Sequence, residues 1–189
     1  MEILIRRATV ADVPTIMDIM TAAHQAMKDP SAYITDDAAY VAEQVQGDGF
    51  SLLAHVEGKA AGFFLVCIPG LAENNLGRYL NFSERRLRRV ALMDSVAVLP
   101  AFQGIGLMEQ MLREAVRLTE AQYSCLLGTV APDNHASRRS FEKCGFSTLK
   151  RIRKPCGLER LLMGRLRSDG LEEGAMAGTQ NARCRLENG

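Results

Sequence analysis

The apolar pattern of the chain is organised around the stretch Val90 to Leu112, VALMDSVAVLPAFQGIGLMEQML. Val90, Leu92, Val96 and Val98 alternate onto one face of an extended strand, and Ala91, Met93 and Ala97 take the other. Apolar residues on both faces predict a central strand covered from two sides. Pro100 carries no amide hydrogen, so the ladder is expected to stop there. Leu107, Met111, Leu112, Ala115 and Leu118 then recur at a spacing near 3.6, as on the buried stripe of a helix. Gly104 and Gly106 sit where the turn enters that helix.

Elements of both kinds flank this stretch. Weak alternation over residues 2–7 predicts an edge or first strand, and Val13, Ile16, Met17, Met20, His24 and Met27 form a helical stripe. That helix ends at the turn Lys28-Asp-Pro-Ser31, and residues 36–46 predict a second, short one. Residues 50–57 and 60–67 read as strands joined through Glu57-Gly58-Lys59, a hairpin signal. Cys125 to Val130 is a short apolar strand. Asn134 opens a helix as an N-cap, with Ser137, Phe141 and Cys144 on one face and Gly145 at its end. Phe146 begins another strand, and Leu158 to Leu166 is the last. The order predicts a mixed α/β domain over residues 1–167. From Ser168 the composition turns to Gly, Ala, Glu, Asn and Gln, and 168–189 reads as a disordered tail.

Composition narrows the function more by exclusion than by suggestion. The 189 residues suffice for one domain with its own core, and 47% hydrophobic with 24% charged residues is ordinary globular usage. A net charge of +1 gives no support to nonspecific nucleic-acid binding. No run approaches the roughly 18 apolar residues of a membrane span, and MEILIRR lacks the apolar core of a signal peptide. Five cysteines without Cys-x-x-Cys spacing argue against a disulfide framework or a zinc site. The expectation is a cytoplasmic protein without a metal, with no nucleic-acid or membrane partner.

Two places carry candidate chemistry. The first amides of a helix lack intrahelical partners and sit in positive potential, and glycines let an anion approach the backbone. Gln103 to Met108 therefore reads as a phosphate cradle, or as no more than a glycine turn joining strand to helix. Asp94 lies in phase with Val90, Leu92, Val96 and Val98 on an otherwise apolar face. A carboxylate there must be hydrogen-bonded, paired or neutral. It is either a structural Asp tied to amides or a nearby Arg, or a general base. The insert 69–89 is long for a connection and carries Arg85, Arg86, Arg88 and Arg89. They read as a solvated face or as a grip for an acidic acceptor or for phosphates.

The run Val98-Leu-Pro-Ala-Phe-Gln-Gly-Ile-Gly106 resembles the acetyl-CoA loop of the GNAT superfamily of N-acetyltransferases. Gln103 and Gly106 match the family pattern, while Met108 stands where Gly or Ala is usual. A second match follows in Asn134-His-Ala-Ser137-Arg-Arg-Ser-Phe141-Glu-Lys143-Cys-Gly145-Phe146. The resemblance spans residues 2–166 and implies a GNAT-like fold, with a mixed sheet of about six or seven strands flanked by about four helices. It implies acetyl-CoA as cosubstrate: Val96, Ala97 and Val98 would hold the pantetheine, and Gln103, Gly104, Ile105, Gly106, Leu107 and Met108 the pyrophosphate. Asn134, Ser137, Phe141 and Lys143 would complete the cofactor site, and Tyr33 and Tyr40 would belong to the acceptor pocket. Asp94 would be the base for a small-molecule or peptide amine acceptor acetylated by direct transfer, and the family admits a homodimer. Phe141 departs from the family's Tyr, which protonates the leaving thiolate. Ser137, Ser140, Tyr123 and Cys144 are the nearest substitutes in sequence. The alternative is an acyl-CoA-binding module that acts through a partner. A Rossmann domain would want Gly-x-Gly-x-x-Gly after the first strand, which is absent.

Overall fold

The computed structural model describes residues 1–30 and 33–168. Of the tail expected over 168–189, all but Ser168 lies outside the described residues. Seven strands form one sheet: β1 (Ile3–Arg7), β2 (Phe50–Val56), β3 (Lys59–Cys67), β4 (Val90–Val98), β5 (Cys125–Val130), β6 (Ser147–Arg153) and β7 (Glu159–Leu166). Their order is β1-β2-β3-β4-β5-β7-β6, and only the β4–β5 pair is parallel. The helices are α1 (Val13–Gln25), α2 (Ala38–Gln46), α3 (Glu84–Leu87), α4 (Leu107–Thr119) and α5 (His135–Lys143). Among the described residues there are five helices, in keeping with the expected sheet flanked by about four; the insert contributes α3, a single turn.

Local chemistry explains most boundaries. Glu57 and Gly58 have φ of 49° and 75°, the left-handed pair that turns β2 tightly into β3. Asp37 caps α2 by accepting the Tyr40 amide, and Asn134 caps α5 by accepting the Ser137 amide. Gly145, at φ 83°, closes α5, and the Phe146 amide reaches back to the Phe141 carbonyl.

Two layers cover the sheet. On one face Leu107, Met111, Leu112 and Ala115 of α4 and Phe141 of α5 pack on Leu52, Phe64, Val66, Ala91 and Met93. On the other, Ile16, Ile19 and Met20 of α1 and Val41 of α2 pack on Leu53, Phe63 and Leu65. Each such side chain is worth about 1.5–3 kcal/mol on burial. The insert 69–89 forms a third cluster, in which Leu76, Tyr79, Leu80 and Phe82 pack with Leu127, Ile152 and Leu162. Buried Asn75 holds it together. Its Nδ2 donates to the Gly70 and Leu87 carbonyls at 2.6 and 3.0 Å, and its Oδ1 accepts the Gly77 amide at 2.9 Å. The insert is thus a structured cover over one part of the sheet. Arg86 stacks on Phe82 at 4.1 Å.

β4 departs from simple alternation. Its register with β3 runs Leu65↔Ser95 and then Val66↔Met93, leaving Asp94 as an extra residue in a β-bulge. An inserted residue turns every later side chain over. Val90 and Leu92 therefore face the insert's cluster, whereas Val96 and Val98 join Ala91 and Met93 against α4. This corrects the single face drawn through Val90, Leu92, Asp94, Val96 and Val98. Asp94 is not one of a row of buried positions but the bulged residue where the row breaks. His55, expected on the surface, is half-buried beside a second bulge in β2.

Candidate active site

The parallel ladder joins Val90–Met93 to Cys125–Gly128 and goes no further, although β4 continues to Val98 and β5 to Val130. Past the bulge, the β5 side of β4 has no neighbouring strand. Two cavities of about 640 Å³ each open along this gap, and both are bounded by Val96, Met108, Asn134 and Ser137.

The first cavity runs to the entrance of α4. Val96, Ala97 and Val98 form its strand wall, and Gln103, Gly104, Gly106, Leu107 and Met108 form the turn. Gln103 Nε2 donates to the Val98 carbonyl at 3.2 Å and fixes the turn on the strand end. Gly104 and Gly106 have φ of 81° and 76°, and a Cβ on either would meet no atom within 4 Å. Backbone conformation demands glycine here, and the space beside it is open. Gly106 is also the N-cap and carries no side chain to occupy the orphan amides of α4. Glu109 lies in that first turn, where its charge would repel an anion. Arg113 and Lys143 bind it at 2.8 and 3.0 Å and hold its carboxyl below the usual range. Ser137 turns its hydroxyl toward Met108 Sδ, 3.6 Å away. Arg139 and His24 line the same cavity, and His24 Nε2 sits 3.0 Å from the Pro30 carbonyl oxygen. Ile105 does not line it; its side chain packs against the core.

The second cavity has Asp94 and Ser95 on its β4 wall and Asp36 and Lys154 nearby. Asp94 is open to solvent from the cavity, yet protein surrounds it on its other sides. Burial therefore pushes its carboxyl up, against the opposing pull of Tyr40 and Lys154. Tyr40 Oη donates to Asp94 Oδ2 at 2.6 Å. Asp36 is also pushed up, first by burial and then by the Asp94 charge, and its Oδ2 is buried without a hydrogen-bond partner. Ser95 Oγ meets the Tyr33 hydroxyl. Phe141, only 3% exposed, belongs to this cavity and not the first; its ring meets Phe146 edge-on at 5.0 Å. Among the sequence's substitutes for a phenol at 141, Cys144 is buried with its Sγ toward the Glu109 carbonyl, and Tyr123 lines neither cavity. Ser140 lines only the first, donating to the Ala136 carbonyl, while Ser137 lines both. Arg85, Arg86, Arg88 and Arg89 border neither. No group of three His, Cys, Asp or Glu among the described residues could hold a metal.

The sequence profile of the Acetyltransferase (GNAT) family matches residues 13–146, most of the chain. The chain belongs to this family. Solved GNAT structures share the fold. One is a GNAT-family acetyltransferase from Streptococcus pneumoniae, 22% identical, with a TM-score of 0.66 over 87% of this chain and 99% of that one. A second is the ribosomal-protein-alanine N-acetyltransferase from Brucella melitensis, 21% identical, with a TM-score of 0.66 over 87% and 99%. A third is yncA from Salmonella typhimurium, a putative acetyltransferase solved with acetyl-CoA, 21% identical, with a TM-score of 0.64 over 92% and 96%. No curated protein sequence matches the chain. Within the GNAT family frame, both matched motifs face one groove: Gln103 to Met108 at one end and Asn134 to Ser137 across the gap from β4. No helix among the described residues is long and apolar enough to cross a membrane.

Proposed function

We propose that the protein moves an acetyl group from acetyl-CoA directly to an amine held in the second cavity. One observation carries this: β4 loses its β5 partner at the Asp94 bulge and opens onto two adjoining cavities, one of them ending at a glycine-built helix entrance. The fit to acetyl-CoA is chemical as well as spatial. The uncapped amides of α4 and the left-handed Gly104 and Gly106 suit a pyrophosphate, and the Asp94–Val98 edge offers backbone groups to an amide-bearing pantetheine arm. Acetyl-CoA, when bound, supplies the activated acyl thioester.

The chain's own groups do the rest. Gln103 to Met108 hold the diphosphate, with Lys143 and Arg139 lining the same cavity from α5. Asn134 and Ser137 bound the far side of the arm. An amine attacks only when neutral, so a proton must be removed; Asp94, with its raised carboxyl, takes it directly or through water. Tyr40 orients that carboxylate. A backbone amide near Val96 meets the negative charge that develops on the carbonyl oxygen. The acceptor is a small molecule or a peptide amino group.

Phe141 favours one other reading, because its ring brings no proton donor to the leaving group: the fold then binds acyl-CoA without turning it over. Incubation with acetyl-CoA and a panel of amines, followed by free thiol, separates the two. Thiol release that depends on an acceptor supports transfer; saturable binding without release for any amine supports the module.

A further inference from the structure

Phe141 leaves a gap in the chemistry. When a thioester gives up its acyl group, sulfur departs with the bonding electron pair, and a donor placed at that sulfur lowers the barrier. The acyl carbon must pass from the first cavity to the second, so the reacting sulfur belongs where the two share walls. Met27, Tyr33, Val96, Met108, Asn134 and Ser137 line both. Three of these have no side-chain donor. Asn134 spends its Oδ1 on capping α5 and keeps only an amide donor, a far weaker acid than a phenol, and the Ser137 hydroxyl is turned to Met108 Sδ. Tyr33 is the phenol at the junction. Its ring packs against the α1–α2 core, with His24 at 6.3 Å between centroids, and its oxygen meets Ser95 Oγ on β4.

We infer, on the acetyl-transfer reading above, that Tyr33 donates the hydrogen bond to the departing sulfur that a phenol at position 141 would otherwise give. Either hydroxyl can donate across the Tyr33–Ser95 contact. When Ser95 donates to the Tyr33 oxygen, the phenolic hydrogen is left to point into the junction. Burial pushes the Tyr33 phenol up to about 12, so it keeps its proton across the working range. The titratable groups around the phenol are His24 from α1, Asp36 from the loop before α2, and Asp94 from β4. As the amine nitrogen bonds to the acyl carbon, the carbon–sulfur bond breaks with its electron pair on sulfur. Asp94 has by then taken the ammonium proton, and the second proton, shed as the amide forms, passes to water. Sulfur leaves as a thiolate held by the Tyr33 hydrogen and takes its proton from water on release.

The test needs no acceptor. Coenzyme A itself is bound to the full chain, and the ultraviolet absorbance of its thiolate is titrated with pH for the parent, Tyr33→Phe, Ser95→Ala and Ser137→Ala. Loss of a donor to a charged acceptor raises the bound thiol's pKa by about one to two units in Tyr33→Phe, with affinity for the protonated thiol kept. Ser95→Ala leaves the ring in place, removes its orienting partner and gives a smaller rise. A shift on Ser137→Ala with none on Tyr33→Phe overturns the assignment, as does an unmoved pKa in both Tyr33→Phe and Ser95→Ala. Failure of the parent to bind coenzyme A overturns the acetyl-transfer reading itself, and this assignment with it.

Discussion

Gly106→Ala separates what the backbone of the α4 entrance needs from what its ligand needs. Gly106 has φ 76°, and a Cβ there would touch no atom within 4 Å. The substitution therefore adds no clash and costs only the left-handed conformation, about 1 kcal/mol, or ~2–4 °C of melting temperature in a chain of this size. Gly58, in the β2–β3 hairpin, provides a matched control at φ 75° with equally open surroundings, and it lines neither cavity. Gly58→Ala should lose about the same stability by the same mechanism. The two part company in ligand binding. At Gly106 the new methyl group, or the backbone shift that relieves it, disturbs amides proposed to donate to a charged diphosphate. Losing one such bond at about 1.5–3 kcal/mol weakens coenzyme A by roughly 10- to 100-fold. Calorimetric titration and thermal melts of both variants provide the comparison. Equal affinity losses in the two variants, or full affinity in Gly106→Ala, would refute the cradle.

Asp94→Asn should cut turnover by about 10²- to 10⁴-fold once an acceptor is in hand, with coenzyme A affinity retained; unchanged turnover across pH removes Asp94 from the mechanism. The same variant makes a stability prediction. Because the folded state raises this carboxyl, its contribution is complete below the unfolded value of about 3.9 and is lost as pH rises through the folded one. Asp94→Asn should therefore melt above the parent at neutral pH, by a margin that closes toward pH ~4. Asp12 carries the opposite sign, since Arg6 at 2.7 Å and the Thr9 amide hold its carboxyl far below the ordinary range. Its contribution is present above about pH 3.9 and fades as acid titrates it, so Asp12→Ala should cost ~1 kcal/mol at pH 7 and progressively less in acid melts.

Much of the fold was legible because each element announced itself twice. Cys125 to Val130 was bounded by turn residues as well as apolar, and the α5 helix carried both a capping Asn134 and a closing Gly145. The bulge was not legible. A strand apolar on both faces looks equally regular in either phase, so an extra residue leaves no mark in Val90 to Val98. Asp94 still drew attention by its charge, although the physical reason is the break in the ladder and not burial in a row. The turn into α4 could be read from Gly104 and Gly106, because its left-handed backbone selects glycine. Ile105, read into the cradle with its neighbours, turns its side chain to the core, because spacing does not fix which way a turn side chain points and packing decides. The pairing of Tyr33 with Ser95 joins residues 62 positions apart in sequence, and no spacing rule connects them. The arginines of 85–89 suggested a grip by charge alone, whereas Asn75 folds that insert onto the sheet away from both cavities.

The most direct measurement is the behaviour of the backbone amides of residues 103–108 as acetyl-CoA is titrated into the intact chain, followed by amide resonances or hydrogen exchange. Saturable shifts and protection concentrated at Gly104 to Met108, with smaller changes along Asp94 to Val98, are predicted. Saturable binding that leaves those amides untouched, or no binding at all, would contradict the account.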